Sequence, residues 1–70
     1  NSVISIYPNP AQGLIFLSGV TPGEEYKIID SGGMIIIEGN YKERGIDIGK
    51  LPKGVYLINI LDRSIKLVTQ

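Results

Sequence analysis

The side chains that could do chemistry in this 70-residue sequence are seven carboxylates, and histidine and cysteine are both absent. Without those two residue types there is no thiolate nucleophile, no Cys/His zinc site and no Ser-His-Asp triad. Glu24, Glu25, Asp30 and Asp62 flank turns or loops, where carboxylates cap turns and remain solvated. Acid/base catalysis also needs a cleft, which a chain this short does not form beside a core. We therefore predict no catalytic residue and no enzymatic activity.

None of the loops has the spacing of a ligand-binding loop. Gly32 and Gly33 lack the Gly-Lys-Ser/Thr ending and the following helix that a phosphate loop needs. The segments that begin at Asp47 and Asp62 do not space oxygen ligands as a calcium loop does, which leaves an isolated surface calcium ion as the one metal alternative. Tyr41 lies among charged loop residues and is expected to be exposed, a weak sign of sugar binding. We predict no cofactor, no metal site and no small-molecule substrate.

Size and composition indicate one folded domain, residues 1–70, without a strongly charged surface. The chain is 43% hydrophobic, which is too apolar for disorder at zero net charge. Seven basic and seven acidic residues balance each other, which argues against nucleic acid and anionic membrane as partners. No apolar run is long enough to span a bilayer, so we expect no secretory leader and no membrane-spanning segment.

The residue types and the turn spacing predict an all-β fold. Thirteen Ile, four Val and four Tyr favour strands, and nine Gly and four Pro interrupt the chain at the intervals of a β-sandwich. No window keeps helical spacing of apolar residues without meeting Gly or Pro. The predicted strands are Val3–Tyr7, Leu14–Ser18, Glu25–Asp30, Met34–Glu38, Gly45–Ile48, Val55–Leu61 and Ser64–Thr69.

The connections between these strands contain residues suited to turns. Pro8 and Pro10 end the first strand because neither can donate a hydrogen bond to a ladder. Thr21–Gly23 suits a type II turn, in which proline fixes one φ angle and glycine accepts a positive one. Asp30–Gly33 suits a tight hairpin. The last hairpin, at residues 62–63, is short and has no glycine.

Period-2 alternation predicts which side chains face the core. It points Tyr26 and Ile28 inward in the third strand, and Ile65 and Leu67 inward around an exposed Lys66 in the last. The other side chains that it points inward are Ile46, Ile48, Tyr56, Ile58 and Ile60. Two stretches, Met34–Ile37 and Val55–Ile58, are apolar on both faces. They are either covered or form a surface patch suited to docking, and we predict burial under loops.

Two motifs together resemble a known family, the type A sorting domains of the type IX secretion system. Ile6–Ala11 contains the family's Tyr-Pro-Asn-Pro signature, and Ile46–Ile58 is similar to its Ile-Asp-hydrophobic, Leu-x-x-Gly-Val-Tyr pattern. Between them, Tyr26–Asp30 followed by Gly33 matches the family's strand, Asp and hairpin glycine. Ile65–Val68 is like its short terminal strand that carries a lysine. The resemblance covers nearly the whole chain, in order.

The resemblance implies an immunoglobulin-like antiparallel β-sandwich of about seven strands. It also implies a C-terminal signal that directs a cargo protein from the periplasm across the outer membrane of a Gram-negative bacterium, to the cell surface or the medium. The implied partners are outer-membrane receptor or shuttle proteins and a sortase that removes the domain near or before residue 1. The implied recognition residues are Tyr7, Pro8, Asn9, Pro10, Gly54, Tyr56 and Lys66.

The sequence departs from the family at two positions and leaves two questions open. Met34 stands where the family more often has Lys or Arg, and the last hairpin lacks a glycine near Arg63. The alternative function is an immunoglobulin- or fibronectin-like accessory module of a secreted surface hydrolase, acting as a spacer or binding carbohydrate. Whether the isolated domain forms a weak homodimer is also left open.

Overall fold

The computed structural model describes residues 3–70, so the first two residues of the predicted domain lie outside the described part. Residues 3–70 form strands and no helix, and this part of the chain therefore has no helix long and apolar enough to cross a membrane. The strands are β1 (Ser5–Tyr7), β2 (Leu14–Ser18), β3 (Glu25–Ile29), β4 (Ile35–Asn40), β5 (Ile46–Asp47), β6 (Gly54–Ile60) and β7 (Arg63–Thr69).

The strands pair into two antiparallel sheets, one in the order β1-β2-β5 and the other in the order β4-β3-β6-β7. Seven strands in two sheets around one core make an immunoglobulin-like sandwich, here with the fourth strand paired to the third. The predicted fold class is confirmed. Every predicted strand is present, and its ends differ from the prediction by no more than two residues.

The core lies between the two sheets and contains the side chains that alternation points inward. Ile15, Ile28, Ile58 and Leu67 are its largest fully buried side chains, the first from one sheet and the others from the second. Burying each contributes about 1.5–3 kcal/mol. The further predicted core residues that are buried are Tyr26, Ile46, Ile48, Tyr56 and Ile60.

Tyr41 is buried, so the prediction that it is exposed is wrong. Its hydroxyl accepts a hydrogen bond from the Leu17 N–H at 3.0 Å and donates one to the Leu17 carbonyl at 3.3 Å. The short β5 reaches only as far as Ile15 of β2. The tyrosine hydroxyl therefore takes the place of a missing strand at Leu17 and satisfies backbone groups that burial would otherwise leave unpaired.

The turns form largely as their residue types predict. The Glu24 N–H donates to the Thr21 carbonyl at 3.2 Å, and Gly23 has a φ of 103°, as a type II turn requires. In the next hairpin, the Oδ1 atom of Asp30 accepts hydrogen bonds from the Gly32 and Met34 N–H groups, each at 2.9 Å.

The last hairpin differs from the prediction. Its two turn residues are Leu61 and Asp62, with φ angles of 52° and 61°, and β7 begins at Arg63. The predicted turn at residues 62–63 is therefore one residue too far along the chain. Positive φ at both positions is the geometry of a type I′ turn, which usually takes Asn-Gly and here forms without either residue.

Candidate functional site

The last strand, β7, is an edge strand, and residues Asn9–Ala11 cover part of its open edge. The Ala11 N–H donates to the Val68 carbonyl at 2.8 Å, and the Gln70 N–H donates to the Ala11 carbonyl at 2.9 Å. This pair of bonds makes a parallel bridge between Ala11 and Thr69. We call Asn9–Ala11 the edge segment.

The Asn9 side chain continues this parallel ladder two residues earlier on β7. Its Nδ2 donates to the Lys66 carbonyl at 3.1 Å, and its Oδ1 accepts from the Val68 N–H at 3.1 Å. A carboxamide carries a donor and an acceptor in one plane, as a peptide group does, whereas an ionised aspartate has no donor. The flanking Pro8 and Pro10, both preceded by cis peptide bonds, have no N–H to offer the ladder. Asparagine between these prolines therefore serves as a substitute peptide group.

Tyr7 lies on the outer face of the three-stranded sheet. It pairs with Phe16 across β1 and β2, and the two rings stack with centroids 5.7 Å apart and planes at 27°. The Tyr7 side chain is 52% exposed. The four residues of the Tyr-Pro-Asn-Pro motif thus present one aromatic ring to one face of the sandwich and one amide to the edge of β7.

Gly54 and Tyr56 hold the start of β6 against the end of β7. The Tyr56 hydroxyl donates to the Pro52 carbonyl, and the ring passes over Gly54, where an added Cβ would lie 3.8 Å from the tyrosine Cε1 atom. The Gly54 N–H donates to the Thr69 Oγ1 atom, and the Thr69 hydroxyl donates to the Pro52 carbonyl, each at 3.0 Å. Because the Tyr56 side chain is buried, its role is to position these strands.

The two stretches that are apolar on both faces leave part of the four-stranded sheet exposed, so the predicted burial under loops is wrong. Ile29 pairs with Ile35 on β4 and with Leu57 on β6, and Leu57 pairs with Lys66 on β7. Ile35, Val55 and Leu57 are 46%, 49% and 41% exposed. The two-residue turn between β6 and β7 is too short to fold back over them. We call Ile29, Ile35, Val55 and Leu57 the apolar strip.

A groove of about 370 Å³ lies at one end of the apolar strip, between the hairpin after β3 and the strands β6 and β7. We call it the outer-face groove. Lys66 stands at its edge, and within residues 3–70 no side chain pairs with the Lys66 ammonium group. The groove is lined by Ile29, Asp30, Ser31, Gly33, Val55, Tyr56, Leu57 and Lys66.

A second concavity of about 540 Å³ lies at the other end of β3, lined in part by Tyr26, Lys42 and Arg44. Burial raises the pKa of Tyr26 because desolvation disfavours its charged form. Within residues 3–70, no three acidic side chains come together to hold a metal ion. Asp47, which borders this concavity, uses its Oδ1 atom to accept the Gly49 N–H at 2.9 Å.

The structure separates the seven predicted recognition residues into three places. Asn9, between its exposed prolines, lies beside the Lys66 backbone, Gly54 and Tyr56 lie at the start of β6, and Tyr7 lies on the opposite sheet. The apolar strip is the surface patch that the sequence left as the alternative to burial. The signal was present, because consecutive apolar residues in a strand of a small sandwich cannot all face one core.

Residues 5–70 match a family of secretion system C-terminal sorting domains. The match includes all seven strands, the edge segment and the outer-face groove. The chain belongs to this family. In the comparisons with curated proteins and with solved structures, nothing matches the chain.

Membership of the sorting-domain family establishes the general role of the chain. Domains of this family are C-terminal sorting signals of the type IX secretion system, and the family is not an enzyme family. A sorting domain implies interaction with the secretion machinery. It also implies that the protein carrying it is secreted or lies on the cell surface.

Proposed function

We propose that the chain is a single sorting domain that directs a cargo protein from the periplasm across the outer membrane of a Gram-negative bacterium. A surface sortase then removes the domain from the cargo. The observation that carries this proposal is the family match from residue 5 to residue 70, which spans the complete sandwich. A neutral, compact sandwich is suited to this role because a receptor can read a folded tag by its shape and its edge strands.

We propose that an outer-membrane receptor or shuttle recognises the β7 side of the sandwich. The Asn9 side chain bonds the Lys66 carbonyl there, and Asn9, its flanking prolines and Lys66 are all exposed. Gly54 and Tyr56 contribute indirectly, since they tie the start of β6 to the end of β7. Tyr7 lies on the outer face of the other sheet, so its part in recognition would require a partner that reaches that sheet.

The domain itself is proposed to catalyse no reaction. The sequence offers no histidine or cysteine, and two of its carboxylates, Asp30 and Asp47, accept N–H bonds within their own turns. Such bonds fix a carboxylate in a structural role. The partners proposed for the domain are the secretion proteins, and they include neither nucleic acid nor a small-molecule substrate.

The proposed removal is tested by the mass of an exported reporter. The chain is fused to the C-terminus of a periplasmic reporter in a bacterium with the type IX machinery, and the exported reporter is analysed by mass spectrometry. We expect the exported protein to lack residues 3–70 in a strain with its surface sortase and to retain them in a sortase-deficient strain. Full-length reporter at the surface of both strains would contradict removal.

A further inference from the structure

The outer-face groove and the apolar strip form an interaction surface with a definite chemistry. The strip presents Ile35, Val55 and Leu57 with between two fifths and half of each side chain exposed. Apolar patches of this kind on a small domain mark sites of contact with other molecules. Lys66 continues the same row beyond Leu57, so a cation with no pairing side chain among residues 3–70 stands directly beside the apolar side chains.

We propose that the outer-face groove binds a segment of a partner protein that carries apolar side chains and a carboxylate. In this complex the apolar side chains contact Ile29, Val55 and Leu57, and the carboxylate pairs with Lys66. A volume of about 370 Å³ is at the small end of the ~300–1,000 Å³ range of ligand sites. A groove of that size receives a few side chains of a segment.

Charge favours a protein segment over a membrane surface. Anionic membranes recruit clusters of several lysines or arginines, whereas Lys66 is the single cation of the groove. On the same face, Lys27 of β3 lies opposite Glu38 of β4 in the strand register, so positive and negative charges are mixed there. Such a face has no net attraction for an anionic bilayer, but the one cation that lines the groove suits one carboxylate.

Charge also disfavours a second copy of the chain as the occupant. In a two-fold dimer the groove of one copy meets the groove of the other. The carboxylate that such a dimer would bring to Lys66 is Asp30, which lines the groove. The Oδ1 atom of Asp30 already accepts the Gly32 and Met34 N–H groups of its turn. A partner with a free carboxylate therefore complements Lys66 better than another copy does.

This inference deepens the proposed function and rests on it, because the segment is taken to belong to the secretion machinery. Its cellular test compares two exposed leucines in strands, Leu57 in the strip and Leu14 on the other sheet. We expect Leu57→Ser to lower export of a fused reporter at least about fivefold. Leu14→Ser should leave export unchanged. Melting temperatures of both variants establish that they are folded, and Val55→Ser provides a second variant of the strip.

The direct test is nuclear magnetic resonance of the methyl-labelled 70-residue chain with two synthetic peptides. One alternates leucine with glutamate and the other alternates leucine with lysine, at the same length and with blocked ends. We expect the acidic peptide to shift the methyl signals of Ile29, Val55 and Leu57 and to bind at least about tenfold more tightly than the basic one. Lys66→Gln should reduce this preference, while Lys27→Gln should not.

Several outcomes would overturn the groove proposal. In the peptide titration, these are equal binding of both peptides, binding of neither, and shifts confined to the concavity near Tyr26. Perturbation of the strip by anionic vesicles alone, or a dimer in sedimentation that buries the strip, would also contradict it. Export of the Leu57→Ser fusion at the level of the unaltered fusion would also refute it and leave the sorting function standing. Failure of the unaltered fusion to be exported, with acidic-peptide binding intact, would instead refute the sorting function.

Discussion

The side-chain amide of Asn9 donates a hydrogen bond of 3.1 Å to the carbonyl oxygen of Lys66, which lies 57 residues farther along the chain. The same side chain accepts the Val68 N–H. The Tyr-Pro-Asn-Pro motif and the lysine-bearing terminal strand are therefore neighbours in space. An edge strand with free N–H and C=O groups invites pairing with other chains, and the edge segment covers part of the edge of β7.

Replacing Asn9 by alanine should uncover the middle of β7. The change removes two hydrogen bonds of exposed groups, so we expect the free energy of unfolding to fall by about 1–2 kcal/mol. The Val68 amide, which loses its acceptor, should exchange with deuterium faster than in the unaltered chain. Gln12→Ala, a substitution of another exposed amide next to the edge segment, serves as the control. An unchanged exchange rate at Val68 would show that the Asn9 contact does not protect the strand.

Truncating Tyr56 should destabilise the whole sandwich. Tyr56→Ala removes a buried ring and the hydroxyl that bonds Pro52, and we expect a loss of roughly 3 kcal/mol or more. Tyr56→Phe removes the hydroxyl alone and should cost only about 1 kcal/mol. Both values come from denaturant unfolding curves. A midpoint that does not move in Tyr56→Ala would mean that this side chain does not pack in the core.

The buried hydroxyl of Tyr41 should contribute more to the stability of the domain than an exposed tyrosine hydroxyl does. Tyr41→Phe leaves the Leu17 N–H and carbonyl without their partner, so we expect a loss of about 1–3 kcal/mol. Tyr7→Phe changes a half-exposed ring on the outer face and should alter stability by less than about 0.5 kcal/mol. Equal effects of the two substitutions in thermal unfolding would contradict the assigned role of Tyr41.

The Lys66 side chain should affect export without affecting folding. It is exposed and has no pairing side chain within residues 3–70, so Lys66→Ala should change stability by no more than about 0.5 kcal/mol. Its backbone carbonyl, which accepts the Asn9 bond, is retained. We expect the variant to reduce export of a fused reporter while its melting temperature stays close to that of the unaltered domain. Lys27→Ala, which changes another exposed lysine on the same sheet face, should be exported normally.

The sequence predicts the parts of this fold that depend on local patterns. Alternation correctly places Tyr26 and Ile58 in the core, because a strand of a sandwich has one inner face. The exposure predicted for Tyr41 from its charged loop neighbours is wrong, because a loop position says nothing about the Leu17 backbone 24 residues away. The burial predicted for the apolar strip is also wrong, since it would need a loop long enough to fold over the sheet.

The candidate site is only partly predictable because its contacts join residues that are far apart in the sequence. The motif residues stand out in the sequence by their order, but the contact between Asn9 and β7 depends on how the chain ends meet after folding. The position of the last hairpin was missed by one residue because Leu61 adopts a positive φ that its residue type does not suggest.

The sorting function is tested most directly by the location of a periplasmic reporter that carries this chain at its C-terminus. The host has the type IX machinery, and the same reporter without the chain and the same fusion in a strain lacking that machinery are the controls. We predict that the fusion appears at the cell surface or in the medium only when both the chain and the machinery are present. If the fusion stays in the periplasm of the competent host, the chain is not a sufficient sorting signal, and an accessory module of a surface protein becomes the better account.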